Sequence, residues 1–107
     1  MMHVITKRPF SQAAEKYPND SQALLMAYKV LRNNKFESPE ELKKVFPSLD
    51  NFKYRKKWWV IDIGGNNLRM IVFIQFVNKK IYVKHIVSHA EYDKLTRYYR
   101  KNKEVDG

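Results

Sequence analysis

The 107-residue sequence contains no cysteine. A disulfide framework, a thiolate nucleophile and a thiolate metal site are excluded together. Histidine is scarce, and His3, His85 and His89 show no close metal-ligand spacing. The surroundings of His85 and His89 read as strand, where a spacing of four residues separates side chains by about 13 Å. No metal and no other cofactor is therefore assigned. Glycine is equally rare, and Gly64-Gly65 is too short for a phosphate-cradling loop and joins two strand-like segments rather than a strand and a helix. No apolar run, that from Met70 to Ile74 included, approaches the roughly 20 residues a membrane helix requires. Met1-Met2-His3 opens without the charged leader and apolar stretch of a secretory signal. A soluble, cytoplasmic chain with no membrane partner is expected. Internal repeats and low-complexity tracts are also missing.

What is present is a core and a charge. Hydrophobic residues make up 44% of the chain and aromatics 14%, enough to fold despite 30% charged residues. The length suits one domain over residues 1–107, with a polar tail beyond Arg100 expected to fray. Lys and Arg number 21 against 11 Asp and Glu, a formal charge of +10 that draws polyanions to a small surface. Nucleic acid is the leading partner class, and a basic surface that only aids solubility is the plainer alternative.

Taken in order, His3 to Thr6 is a short β-branched run. Pro9 then opens a helix with Phe10, Ala13, Ala14 and Tyr17 at apolar positions, ended by Pro18. Asn19, Asp20 and Ser21 offer N-caps for a second helix carrying Leu24, Ala27, Tyr28 and Leu31 and closed by Asn33-Asn34. The pair reads as a hairpin that packs on a sheet. Ser38-Pro39-Glu40-Glu41 is a capping box that starts a short connecting helix stopped by Pro47. Asn51 to Lys57 mixes cations and aromatics, and reads as an irregular lead-in to the next strand rather than an exposed hairpin arm.

From Trp58 the period changes to two. Trp59, Ile61 and Ile63 alternate with Trp58, Val60 and Asp62, and Gly64-Gly65-Asn66-Asn67 supplies a tight reversal. The return strand, Leu68 to Val77, places Leu68, Met70, Val72, Ile74 and Phe76 on one face and Arg69, Ile71, Phe73 and Gln75 on the other. After an Asn78-Lys79 turn, Lys80 to Val87 is expected to set Ile81, Val83, His85 and Val87 against Tyr82, Lys84 and Ile86. Ser88 and Glu91 form a second capping box, opening a last helix with Tyr92, Leu95 and Tyr99 on one face. The fold class is α+β: an N-terminal strand and helical hairpin packed on a three-stranded antiparallel meander, with a short C-terminal helix and the helices on one face of the sheet.

Cationic, imidazole and phenol groups thus gather at strand ends, a combination suited to a phosphodiester. The same stretch carries a resemblance in Phe46-Pro47-Ser48-Leu49-Asp50-Asn51-Phe52-Lys53-Tyr54, in Ile63-Gly64-Gly65-Asn66-Asn67-Leu68-Arg69, and in Val87-Ser88-His89-Ala90-Glu91-Tyr92-Asp93. From Met2 to about Arg97 the sequence resembles HigB-type toxins of bacterial type II toxin–antitoxin pairs, in the wider RelE/ParE-like group. The resemblance implies a RelE-like fold and an mRNA interferase that cuts translated messages on the ribosome, leaving 2′,3′-cyclic phosphate ends. It also implies a HigA-type helix-turn-helix antitoxin as partner, with DNA reached only through that antitoxin.

Metal-independent RNA cleavage needs a base for the 2′-hydroxyl, cations for the phosphate and an acid for the leaving 5′-oxygen. Arg69 is the candidate phosphate clamp, because its planar donor fork matches phosphate oxygens at any working pH. Its plainer role is an ion pair with Asp62 or Glu91, and the family match at Leu68-Arg69 favours the functional one. His89 is the acid/base candidate, since imidazole titrates near about 6.5. Its position at a helix start also suits a merely exposed residue, with the helix dipole opposing the imidazolium. Tyr92 could stack on a base, bond to phosphate or simply pack. Lys53, Lys56, Lys57 and Lys84 form the expected cationic wall, with Lys57 placed first because it should abut the strand opposite Arg69. Tyr54 and Trp58 are candidates for stacking on bases, and Trp59 for the core. Asn67 joins the RNA-binding set, although Asn66 and Asn67 both have a simpler reading as turn residues. Two other functions remain: a ParE-like inhibitor of a protein such as DNA gyrase, and a non-catalytic RNA-binding module.

Overall fold

The computed structural model describes residues 3–4, 7–65 and 67–102. Its elements are β1 (His3–Val4), α1 (Arg8–Lys16), a 3₁₀ turn (Pro18–Asp20), α2 (Ser21–Asn33), α3 (Pro39–Val45), β2 (Asp50–Asn51), β3 (Trp58–Ile63), β4 (Leu68–Gln75), β5 (Lys80–Ser88) and α4 (His89–Lys101). Asn66 and the tail from residue 103 onward, named above in the turn and the fraying end, lie outside the described residues. Arg100 is still helical, since α4 runs one residue further.

The helices start and stop for local reasons. Pro9 lies in the first turn of α1, and the chain leaves the helix at Tyr17, before Pro18. Asp20 holds the N-cap position of α2, but its side chain does not cap the helix. It accepts a hydrogen bond from Asn67 Nδ2 at 3.1 Å instead, tying the helical hairpin to the β3–β4 turn. The expected capping box at α3 is half-made: Ser38 Oγ accepts from the Glu41 N–H, while the Glu41 carboxylate reaches back to the Glu37 N–H. The box at α4 is complete.

The strands form a five-stranded sheet in the order β1-β5-β4-β3-β2. Neighbours from β2 to β5 are antiparallel, and β1 lies parallel to the start of β5. One face carries Trp59, Ile61, Ile63, Leu68, Met70, Val72, Ile74, Ile81, Val83 and Ile86, packed under Phe10 and Ala13 of α1, Leu24, Ala27 and Leu31 of α2, and Leu42 of α3. Each large side chain fully buried here stabilises the fold by about 1.5–3 kcal/mol. The helical hairpin therefore docks as its apolar stripe requires.

The opposite face holds a second, smaller cluster of Phe52, Val60 and Ile71, with Tyr54, Trp58 and the α4 residues Tyr92, Leu95 and Tyr99 packed against it. This corrects the expectation that all helices share one face, because α4 covers the back of the sheet. The second correction concerns β5. The register pairs Ile71 with His85 and Val72 with Val83, so Lys84 is an extra residue in a β-bulge. The bulge inverts the alternation beyond it. Ile86 joins Val83 and Ile81 on the main core, while His85 and Val87 turn to the second face with Tyr82.

From Phe52 to Lys57 the chain is the expected irregular lead-in to β3, and what the sequence did not show is the short strand before it. Asp50 and Asn51 pair antiparallel with Val60 and Trp59, and the Phe52 N–H bonds to the Trp58 carbonyl at 2.9 Å. With that strand the segment makes an arm folded back onto β3, anchored by a buried Phe52. β4 ends at Gln75, two residues before the expected Val77, where Phe76 to Lys79 make the turn.

Candidate functional site

On the second face the register makes a grid. Trp58, Phe73 and Tyr82 form one row, Val60, Ile71 and His85 the next, and Asp62, Arg69 and Val87 the last. Arg69 therefore sits beside Asp62 at the turn end of the β3–β4 hairpin. Its Nε lies 3.6 Å from Asp62 Oδ1, with the side chains 29% and 26% exposed. That separation is an ion pair but too long for a hydrogen bond, and Nε is buried with no hydrogen-bond partner. The guanidinium stacks over the Tyr92 ring at 4.7 Å. Asp62 and Tyr92 hold the guanidinium in place from the sheet side, and the exposed remainder of this cation, not the buried Nε, is what an anion could reach.

Tyr92 is brought to this row by α4, which begins directly after β5. Burial raises the Tyr92 phenol above its ordinary value, an effect that Arg69 opposes and Asp50 and Asp62 reinforce. The phenol is therefore protonated at neutral pH and available as a donor. Beside it opens a cleft of about 490 Å³ lined by Asp50, Asn51, Phe52, Lys53, Tyr54, Tyr92 and Thr96. Asp50, Asn51 and Thr96 were not among the expected site residues. The hairpin arm that delivers Asp50 and Asn51 was the missing signal, since a two-residue strand has no periodicity to read.

His89 is the first residue of α4 and is exposed. The pairings of Leu68 with Ser88 and Arg69 with Val87 place it just past the strand end that flanks Arg69. Glu91, the other possible partner of Arg69, is committed elsewhere. It accepts from Tyr17 Oη at 2.7 Å and from Lys16 Nζ at 3.1 Å, and completes the cap on Ser88. These bonds, Tyr17 first, lower its carboxyl to about 2. Glu91 thereby fastens the start of α4 to the end of α1 and sets the helix that carries both His89 and Tyr92.

Lys57 does not meet Arg69. The strand opposite Arg69 presents Asp62, whereas the Lys57 carbonyl accepts from the Ile74 N–H at the far end of β4. Five residues of strand correspond to about 17 Å. Lys57 takes φ +64°, exposed in the hairpin arm. Around that far end Lys84 lies 5.5 Å over Trp58 and Arg55 4.6 Å over Tyr99, while in the cleft Lys53 lies 5.6 Å over Tyr54. Lys56 is exposed beside them. Trp58 is half-buried against Phe52 and Tyr99, and Tyr54 packs edge-on to Phe52. Trp59 packs with the main core, as expected. Asn67, exposed, spends its amide on Asp20. His85, turned inward by the bulge, is hydrogen-bonded through Nε2 to Tyr99 Oη at 2.9 Å, and its imidazole is shifted down by burial and then by Lys84. Among the described residues no three of His, Asp and Glu gather as a metal-ligand set, and no helix is long and apolar enough to cross a membrane.

An antiparallel sheet with a helical hairpin on one face and a C-terminal helix on the other is the α+β architecture of a RelE-like toxin. Residues 20–95 match the HigB toxin family, described as the RelE-like toxic component of a toxin–antitoxin system. The chain is 62% identical over 103 residues to mRNA interferase HigB of Escherichia coli O6:H1, covering 96% of this chain and 100% of that protein. It is 42% identical over 99 residues to mRNA interferase toxin HigB of Escherichia coli K12 and to mRNA interferase HigB of Shigella flexneri, covering 92% of this chain and 95% of each relative. The chain belongs to the HigB toxin family.

Proposed function

We propose that the chain is an mRNA interferase, the toxin of a type II toxin–antitoxin pair, and that it cleaves RNA by attack of the 2′-hydroxyl on the adjacent phosphate. The observation that carries this reading is Arg69, a partly exposed guanidinium held by Asp62 and Tyr92 beside the cleft. The names of the relatives favour it over a ParE-like inhibitor.

In the reaction a base removes the 2′-hydroxyl proton, the oxygen attacks phosphorus, and the 5′-oxygen leaves with a proton to give a 2′,3′-cyclic phosphate. Arg69 would bind the phosphate oxygens as charge grows on them, where preorganised donors contribute most. The protonated Tyr92 phenol would donate to the same group or stack on a flanking base. His89, at the start of α4, would exchange protons with the 2′-oxygen or the leaving oxygen. Lys53, Tyr54 and Asn51 of the cleft would hold the neighbouring nucleotides, and Lys56, Lys57, Lys84, Trp58 and Asn67 would contact RNA further out. So sparse a set of acid/base groups fits a substrate oriented by another body, and the ribosome is that body in this reading. A HigA-type helix-turn-helix antitoxin would neutralise the chain in the cytoplasm and provide its sole link to DNA.

The test is cleavage of a defined message by the purified chain, free and on programmed ribosomes. Cyclic phosphate ends formed with ribosomes and lost in Arg69→Ala and His89→Ala are the expected result. Undiminished cleavage by both variants would refute the assignment.

A further inference from the structure

The row of Trp58, Phe73 and Tyr82 has no part in the chemistry at Arg69. These residues occupy laterally adjacent positions on β3, β4 and β5, all on the second face and all partly exposed. Phe73 and Tyr82 lie 5.8 Å apart, centroid to centroid. The α4 aromatics reach Trp58 through Tyr99 but have no ring contact with Phe73 or Tyr82 among the described residues. Phe73 and Tyr82 keep part of their surface open to solvent beside Trp58, which Phe52 and Tyr99 half cover, and an aromatic patch of this kind on a sheet marks a binding surface.

The charges around the row select the occupant. Lys84, at the crest of the bulge, lies over Trp58, and Arg55 lies 6.0 Å from the same ring. Lys80, exposed, is one row further along the same face. The carboxylates nearest on this face, Asp50 and Asp62, are in the two rows toward Arg69. Aromatic rings ringed by cations suit a polyanion that carries flat bases, and that is single-stranded nucleic acid.

We infer that Trp58, Phe73 and Tyr82 form a base-stacking platform for single-stranded RNA, distinct from the cleavage site and used to hold the message beside it. The inference rests on the interferase reading. Four residues of β4 separate Phe73 from Arg69, about 13 Å. A stacked strand advances about 3.4 Å per nucleotide, so the platform would engage bases roughly four nucleotides from the scissile phosphate. The bulge is what makes the platform basic, because it lifts Lys84 out of the β5 ladder and over Trp58.

The test uses the full chain and an unstructured 2′-O-methyl oligonucleotide, which lacks the attacking hydroxyl and cannot be cut. Binding is followed by anisotropy and by quenching of tryptophan fluorescence, beside an abasic strand of equal charge. Phe73→Leu and Tyr82→Leu keep apolar bulk but remove the ring, and each should weaken binding by roughly 5- to 100-fold. Tyr82→Phe should retain it, which separates lost stacking from lost folding. The abasic strand should bind weakly and quench little. Equal affinity for the abasic strand, or wild-type affinity in both Leu variants, would overturn the platform. Since no step requires cleavage, failure here would leave the interferase reading standing, and absence of cleavage would leave this result readable.

Discussion

Replacing Arg69 by alanine separates the structural value of that residue from its chemical value. Structurally the side chain makes an ion pair with Asp62 at 3.6 Å and a stack on Tyr92 at 4.7 Å. A partly exposed ion pair contributes less than about 1 kcal/mol, and a half-desolvated cation–π contact about 1 kcal/mol. Arg69→Ala should therefore cost about 1–2 kcal/mol of stability, a fall in Tm of about 5–10 °C. Against a stability of about 5–15 kcal/mol for such a domain, the variant stays folded at assay temperature. Chemically, loss of one preorganised donor at a developing oxyanion costs about 100- to 1,000-fold in rate. The activity loss should therefore far exceed what unfolding explains. Arg69→Lys, which keeps the charge but not the fork, should recover part of the rate, to within about tenfold of wild type. Thermal unfolding and single-turnover cleavage on programmed ribosomes measure the two quantities on the same samples. An Arg69→Ala chain that loses the stated stability yet cleaves within tenfold of wild type would show that Arg69 only braces Asp62 and Tyr92.

The β3–β4 turn gives a purely structural prediction. Gly64 and Gly65 have φ +64° and +60°, and a methyl group at Gly64 would run into the Asp20 carboxylate, whereas one at Gly65 meets nothing. Gly65→Ala should cost about 1–2 kcal/mol from the left-handed backbone alone, and Gly64→Ala about 1 kcal/mol more as Asp20 gives up Asn67. Chemical denaturation measures the difference, which Asp20→Ala should abolish. The depressed Glu91 carboxyl adds stability that is full above its unfolded pKa and is lost as pH falls toward about 2. Because Glu91 is 40% exposed, the effect is discounted to about 1 kcal/mol. The stability gap between wild type and Glu91→Gln should shrink between about pH 4.5 and 2. His85 works at higher pH. Its lowered pKa means that the folded chain favours the neutral ring, so stability present above about pH 6.5 declines as pH falls below it. His85→Asn should flatten that slope in denaturant titrations.

The sequence made the β3–β4 hairpin legible because Trp59, Ile61 and Ile63 alternate without interruption and the glycine pair admits positive φ. The stripes of α1 and α2 predicted their docking for the same reason, a period that matches one buried face. Alternation failed at Lys84. A bulge adds one residue to a ladder without changing the residue types around it, so His85 was assigned to the wrong face and its bond to Tyr99 was hidden. The arm from Asp50 to Lys57 escaped because its order comes from Phe52 burying itself against Val60 and Ile71, a tertiary contact with no local pattern. Lys57 was expected near Arg69 because it adjoins the strand opposite, but it adjoins the wrong end of that strand, where the register sets it beside Ile74. Of the candidate site, the nearness of Arg69 and Tyr92 was legible from their places at a strand end and a helix start, and His89 remains a proposal from its position at the start of α4, while Asp50, Asn51 and Thr96 enter only when the arm and α4 close the cleft.

The most direct test of the account is mapping of RNA 5′ ends in cells after brief induction of the chain, with translation running or blocked, beside His89→Ala and Arg69→Ala. The account predicts new ends inside reading frames that vanish when translation is blocked and in either variant. Growth arrest without new RNA ends would contradict it.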